Sequence, residues 1–264
     1  MSLLANCNIL ITGIANKRSI AYGIAKEASE QGANIIATFQ NDRLMERSDK
    51  ILSELNIKHT QVCDLSNDEE IDNLMQELAN QKIALNGIVH AVAFAPADQL
   101  SGNFVDNINK IGFNIAHEIS SYTFTSMAKY ARIHNILSDN ASLVTLSYFG
   151  SEKAVPNYNT MGLAKASLEA NVRYMAQALG PDGVRVNAVS PGPIKTLASS
   201  GIKGCNDMLS KTRQINPTRK NVTIEEVGRV TSFMLSSFSQ GITGEVIHVD
   251  HGYHCIGMVN SEVE

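Results

Sequence analysis

Asn8-Ile9-Leu10-Ile11-Thr12-Gly13-Ile14-Ala15-Asn16-Lys17-Arg18-Ser19-Ile20-Ala21 is the stretch that decides the fold. Asn8 to Gly13 reads as a strand, an apolar run closed by a glycine, and an amphipathic helix follows from about Ser19 to Gln31. Gly13 allows a turn that a Cβ would obstruct, and Ser19 stands where a hydroxyl can cap the helix. A helix N-terminus offers free N–H groups and the positive end of its dipole to a pyrophosphate. The spacing is not G-x-G-x-x-G, and an ordinary strand-to-helix turn with an N-cap accounts for the same residues. The location at the end of the first strand is what favours a phosphate loop.

Outward from that unit the pattern repeats. Ala33 to Phe39, Lys58 to Cys63, Gly87 to Ala93, Ser142 to Ser147, Val184 to Val189 and Glu245 to Val249 are further strand candidates, with helical periodicity between most of them. Strands alternating with helices predict an α/β fold, a doubly wound Rossmann-type domain with a seven-stranded parallel sheet and helices on both faces. No linker-like segment or internal repeat interrupts the chain, so residues 1–264 are expected to form a single catalytic domain. Ligands of such sheets lie beyond the carboxyl ends of the strands, where strand order reverses.

Composition narrows the function. With 44% hydrophobic and 18% charged residues the chain can bury a full core, and a net charge of −4 gives no global reason to bind nucleic acid. No run approaches the ~20 apolar residues of a membrane span. Met1 to Asn8 lead into Ile9 without a basic n-region or cleavage site, so a cytoplasmic location is expected. Cys7, Cys63, Cys205 and Cys255 are far apart and form no C-x-x-C, which argues against a metal knuckle or a disulfide framework.

The second strand ends in Gln40-Asn41-Asp42-Arg43, about 20 residues past the loop, where an acidic residue usually meets the adenosine ribose. An amide at Gln40 can donate to and accept from ribose hydroxyls. No basic pair directly follows the strand to receive a 2′-phosphate, although Arg43 is close, so NADH is favoured over NADPH. Asp64, at the end of the third strand, suits an adenine amino group; it equally suits helix initiation ahead of Asn67 and Asp68.

Tyr158 and Lys165 stand seven residues apart, nearly two helical turns, so a phenol and an ammonium share one helix face. A phenol can donate to a developing oxyanion, and a nearby ammonium can hold a polar cofactor. The pair alone is common by chance.

Several segments together resemble the bacterial NADH-dependent enoyl-acyl-carrier-protein reductases, a divergent branch of the short-chain dehydrogenase/reductase family. They are the loop Gly13 to Ala21, Phe94-Ala-Pro-Ala-Asp-Gln-Leu100, Leu146-Ser-Tyr-Phe-Gly150, the run Tyr158 to Tyr174, Gly183-Val-Arg-Val-Asn187, Gly192-Pro-Ile-Lys-Thr196 and Gly244-Glu-Val-Ile-His-Val-Asp250. The resemblance implies reduction of a trans-2-enoyl thioester, the last step of fatty-acid elongation, with acyl carrier protein bringing the substrate. It assigns Tyr158 as the hydrogen-bond donor to the enolate, Lys165 as the ligand of the nicotinamide ribose, and Tyr148 as a second active-site tyrosine in contact with substrate or proton.

The same resemblance assigns Gly13, Ser19 and Ile20 to the pyrophosphate loop, Gln40 to the ribose, Asp64 and Leu65 to the adenine pocket, and Val92 to the loop after the fourth strand. Ile194, Lys195, Thr196, Leu197 and Ala198 meet the nicotinamide end, and Ala95 belongs to the substrate pocket. A substrate lid is expected over about 195–212, where Gly201 and Gly204 give little rigidity. A homotetramer is implied as well.

Spacing separates this reading from a ketoreductase or alcohol dehydrogenase of the same fold, which uses Tyr-x-x-x-Lys with a serine thirteen residues before the tyrosine. Four residues before Lys165 stands Met161, and thirteen before Met161 stands Tyr148. The carbonyl acid is missing. A non-catalytic dinucleotide-binding regulator is the other alternative, and the presence of Tyr148, Tyr158 and Lys165 argues against it.

Two departures and one charged stretch remain. Ala93 stands where many relatives have glycine, and its methyl group narrows the space beside the nicotinamide. His251 stands where relatives often have a second glycine; with His248 and His254 it suggests a metal cluster, but histidines near a strand end are more often structural, and no metal is expected. From Lys195 to Lys220, six basic residues (Lys195, Lys203, Lys211, Arg213, Arg219, Lys220) face one acid, Asp207, a local balance of +5 in a chain of −4. Such a patch suits an acidic carrier protein.

Overall fold

The computed structural model describes residues 2–196 and 205–257. Among them seven strands form one sheet: β1 (Asn8–Thr12), β2 (Asn34–Phe39), β3 (His59–Val62), β4 (Leu85–His90), β5 (Leu137–Leu146), β6 (Arg185–Pro191) and β7 (Val246–Val249). All pairings are parallel, in the order β3-β2-β1-β4-β5-β6-β7. Strand order therefore reverses between β1 and β4, which fixes the crevice where a ligand is expected.

Alternation along the strands builds two cores. Ile9 and Ile11 of β1, Ile35 and Ala37 of β2, and Val144 of β5 point to one face, against α1 (Ile20–Glu30) and a late helix (Ile224–Leu235). Leu10, Ile36, Ile88 and Leu143 point to the other, against helices Asp68–Asn80, Thr123–Ile133 and Asn159–Leu179. We number these α2 (Asp68–Asn80), α3 (Thr123–Ile133), α4 (Asn159–Leu179) and, after a further helix α5 (Cys205–Ile215), α6 (Ile224–Leu235). Each fully buried aliphatic side chain contributes about 1.5–3 kcal/mol, so both faces must be covered for the sheet to persist.

The seven expected strands are present, most within two residues of the expected bounds, and the two largest boundary differences are in β4 and β5. β4 stops at His90, three residues short of the sequence reading, because Thr12 takes over its edge: Thr12 Oγ1 donates to Val89 O (3.3 Å) and accepts from the Ala91 N–H (3.0 Å), turning the chain out of the sheet. β5 begins five residues earlier than expected, at Leu137, which pairs with Leu85 across a register shift.

Candidate active site

At the reversal of strand order Gly13 adopts φ +85°, and a Cβ there would sit 2.2 Å from the Ala91 carbonyl oxygen. Two backbones thus approach as closely as glycine permits. Ser19 then caps α1: its Oγ accepts from the Tyr22 N–H (3.2 Å) and donates to Asn16 O (2.7 Å). Ser19, Ile20 and Ala21, at the start of α1, line the same crevice, and a helix N-terminus there suits a phosphate.

One strand further out, Gln40 Nε2 donates to Asp64 Oδ2 (3.0 Å), so the ends of β2 and β3 form one polar ridge. Asp64 also accepts from the Ser66 N–H (3.0 Å) and hydroxyl (2.8 Å), bonds that favour its ionised form, and its acidity is strengthened on balance despite partial burial. Helix α2 is capped by Asn67, whose side chain accepts from the Glu69 N–H, so Asp64 is not the helix-initiating residue. Leu65 is buried in the core beneath this ridge.

The other wall is made by the end of β5 and the start of α4. Tyr158 is the N-cap residue of α4, and its ring meets that of Tyr148 edge-on, with centroids 4.8 Å apart. The turn between them fits only because Gly150 has no side chain: a Cβ there would lie 2.4 Å from the Tyr158 ring. Burial pushes the Tyr158 phenol far above the ordinary range, and Tyr148 adds to the rise. Tyr158 therefore remains an O–H donor at any working pH.

Lys165, buried at 5% exposure, donates from Nζ to Leu146 O (2.7 Å). Burial lowers its pKa to about 8, and the Glu169 carboxylate opposes that fall. Met161, also buried, occupies the helix face between Tyr158 and Lys165.

These groups share one cavity of about 640 Å³. Of the residues expected to hold a dinucleotide, Gly13, Ser19, Ile20 and Val92 line its one end, and Lys165, Ile194 and Thr196 its middle. Ala95, Tyr148 and Tyr158 line the rest, with Leu100, Pro156 and Met208. Gln40 and Asp64 stand outside this cavity on their ridge, and Lys195 is exposed beside it. Leu197 and Ala198, with Gly201, Lys203 and Gly204 of the expected lid, lie outside the described residues.

A family model described as Enoyl-(Acyl carrier protein) reductase matches residues 13–254, nearly the whole chain. The chain belongs to this reductase family. The enoyl-[acyl-carrier-protein] reductase [NADH] FabI of Salmonella typhimurium is 49% identical over 264 residues, covering 100% of both chains, and that of Escherichia coli matches to the same extent. Among solved structures, the Aquifex aeolicus enoyl-[acyl-carrier-protein] reductase (NADH) superposes with a TM-score of 0.92 at 42% identity, covering 97% of this chain and all of the other. The Anaplasma phagocytophilum reductase, solved in complex with NAD, gives 0.93 at 38% identity and covers 99% of this chain and 97% of its own.

Two buried clamps stand behind the site. His90, fully buried at the end of β4, bonds Thr145 Oγ1 through Nδ1 (2.9 Å) and Thr123 Oγ1 through Nε2 (2.8 Å); burial lowers its pKa to about 3, so it is neutral. Ser120 accepts from the Phe94 N–H (3.0 Å) and faces the Phe94 carbonyl (3.2 Å), steadying the loop that carries Ala95. It does so from one turn of π-helix, Glu118–Tyr122, just before α3. Nothing in residue spacing signals either clamp. His248, His251 and His254 pair with Glu152, Glu226 and Asp250, and no grouping suited to a metal ion occurs among the described residues.

Proposed function

We infer that this protein reduces the trans-2 double bond of enoyl thioesters carried on acyl carrier protein, with NADH as the reductant, the last step of each elongation cycle in fatty-acid synthesis. The observation that carries the reading is the placement of Tyr158 and Lys165 on one cavity wall, with Met161 buried between them and Tyr148 against Tyr158. A carbonyl reductase needs an acid where Met161 stands.

The residues fit a dinucleotide, because a bare Gly13 lets the β1–α1 turn close against Ala91 O and brings Ser19 and Ile20, at the start of α1, to the cavity where a pyrophosphate would lie. NADH supplies the hydride, which adds to the β-carbon of the enoyl group. Tyr158 donates its hydrogen bond to the thioester oxygen as negative charge develops there, the interaction that counts most in the transition state. Lys165 holds the nicotinamide ribose, and Ile194 to Ala198 fix the carboxamide. Gln40 and Asp64 receive the adenosine, Gln40 on the ribose and Asp64 beside Leu65 on the adenine; no basic pair directly follows the strand to receive a 2′-phosphate, although Arg43 is close, so NADH is favoured over NADPH. Tyr148 and Ala95 contact the acyl thioester.

The segment over about 195–212 serves as a lid: Met208 of α5 lines the cavity and its sulfur lies 3.8 Å from the Tyr148 hydroxyl. Lys195, Lys211, Arg213, Arg219 and Lys220 are exposed next to it and attract the acidic carrier. Neutralising Lys203 and Lys211 should slow turnover of a carrier-bound substrate at low salt and leave a small thioester unaffected. Exposed Ile111 and Tyr174, at 74% and 78%, suit subunit contacts in a cytoplasmic homotetramer. No helix among the described residues is long and apolar enough to cross a membrane.

NADH consumption tests the reading, with a crotonyl or dodecenoyl thioester set against a ketoacyl thioester. Turnover of the enoyl compound alone is expected. Absence of enoyl turnover sinks the proposal.

A further inference from the structure

Glu169 is a carboxylate with no place in the chemistry so far. It sits one turn beyond Lys165 on α4, is 8% exposed, and forms no ion pair with any described residue. Burying a charge in that way is costly unless its oxygens are satisfied. Two hydroxyls serve one of them: Glu169 Oε1 accepts from Ser147 Oγ, and Ser151 Oγ lies 2.6 Å from the same oxygen. Ser151 Oγ is also 2.9 Å from the Tyr148 carbonyl, but it has one proton to give, and a carboxylate is the stronger acceptor.

The two serines bracket Tyr148 in sequence. Ser147 continues the sheet, its N–H bonded to Val189 O (2.8 Å), and Ser151 closes the following turn, its N–H bonded to Tyr148 O (2.9 Å). The same short segment receives a third tie from α4, the bond from Lys165 Nζ to Leu146 O. A fourth contact needs bare backbone: a Cβ on Gly162 would lie 2.7 Å from Gly150 O. Residues 146–151 are thus fastened to one face of α4, with Glu169 at the inner end and the tyrosine pair at the outer end.

Lys165 stands one helical turn before this carboxylate on the same face of α4, beyond ion-pair distance. Glu169, from its own helix, favours its charged form, and His90 on β4, which burial and the Lys165 charge both keep from protonating, is neutral. Tyr158, at the head of α4, is protonated. Among the described residues, Glu169 is the negative charge that favours the ammonium in its buried site.

We propose that Glu169 is a positioning residue for the reduction: its carboxylate clamps Ser147 and Ser151 to fix Tyr148 in the cavity, and it serves as the counter-charge of the Lys165 ammonium. The proposal rests on the reductase reading for what Tyr148 and Lys165 act upon. A merely structural carboxylate would hold the fold and leave the protonation of Lys165 alone, so pH dependence separates the two.

The test compares wild type, Glu169→Gln and Ser151→Ala as full-length proteins, by the pH profile of kcat/KM for a crotonyl thioester at saturating NADH and by NADH affinity against pH from nucleotide fluorescence. Glu169→Gln keeps the size and an acceptor but loses the charge. It should lower kcat by about tenfold and move the alkaline limb of both profiles to lower pH by about half a unit or more. Ser151→Ala should lower kcat several-fold with the limb in place. An alkaline limb at its wild-type position in Glu169→Gln overturns the counter-charge role. If Glu169→Gln does not fold, a wild-type kcat in Ser151→Ala overturns the clamp, and a lowered one upholds it. Should wild type turn over no enoyl thioester, the reductase reading fails separately, and the NADH-affinity limb still decides what Glu169 does to Lys165.

Discussion

The two ends of the cavity are built by opposite means. At the Gly13 end the site is backbone: a glycine at φ +85°, a carbonyl of Ala91 where a side chain would go, and the N-terminus of α1. At the Tyr158 end the site is side chain: two phenols in a T-shaped contact, a buried ammonium, and a buried carboxylate holding two serines. A phosphate is recognised by several weak, fixed dipoles, which backbone supplies cheaply. A developing enolate needs one strong donor and a tuned charge, which only titratable groups in a dry setting provide. The two ends should accordingly fail in different ways.

Tyr158→Phe should give the largest effect. Removing an oxyanion donor costs ~10²–10³-fold in kcat, while NADH affinity stays at the wild-type value because the cradle is untouched. A Tyr158→Phe enzyme that also lost NADH binding would break the division between the two ends. Gly13→Ala is the mirror case. The left-handed backbone costs about 1–2 kcal/mol with a Cβ, and relieving a contact of 2.2 Å with a backbone oxygen adds about 1–3 kcal/mol. Loss of thermal stability and of NADH affinity together is expected, with no change in the alkaline limb of the pH profile.

The third prediction concerns pH and sets function against stability. Lys165 has a folded pKa lowered to about 8, so its charge is present below that pH and lost above it. NADH affinity should therefore fall as pH rises through 8. Stability of the free protein should move the other way. Between pH 8 and the ordinary lysine value the unfolded chain binds a proton that the folded one does not, so stability rises with pH in that window. The melting temperature of wild type measured against Lys165→Met should show that rise, on the order of a few degrees. A difference flat from pH 7 to 10 would remove the tuned-ammonium account.

The same contrast explains what was legible in sequence. The backbone end was readable because glycine, a capping serine and an apolar strand announce conformation directly, and Gly13 and Ser19 adopt the conformations expected of them. Five strands were legible to within about two residues of their ends from Ile and Val content, and β4 but for its last three. The first half of β5 was not, because Ser138, Asp139 and Asn140 are polar and only Leu137 there pairs with β4. Tyr158 and Lys165 were legible as a pair only through their spacing and resemblance. Glu169 was invisible for a plain physical reason: an acidic residue on a helix reads as solvent-facing until the fold brings Ser147 and Ser151, from another element, to its carboxylate.

Ser19→Ala sharpens the comparison with the smallest effect. The Ser19 hydroxyl does two jobs at once, accepting from the Tyr22 N–H and donating to Asn16 O inside the loop. Losing an N-cap costs about 1 kcal/mol, a few degrees in melting temperature for a chain of this size. The Tyr22 N–H keeps its backbone bond to Ser19 O (3.1 Å) after the substitution; if the α1 N-terminus acts through its backbone, the cradle is retained and NADH affinity should fall by less than about tenfold. A far larger loss of affinity would mean that the hydroxyl itself grips the cofactor, and the backbone end of the cavity would then depend on a side chain as much as the Tyr158 end does.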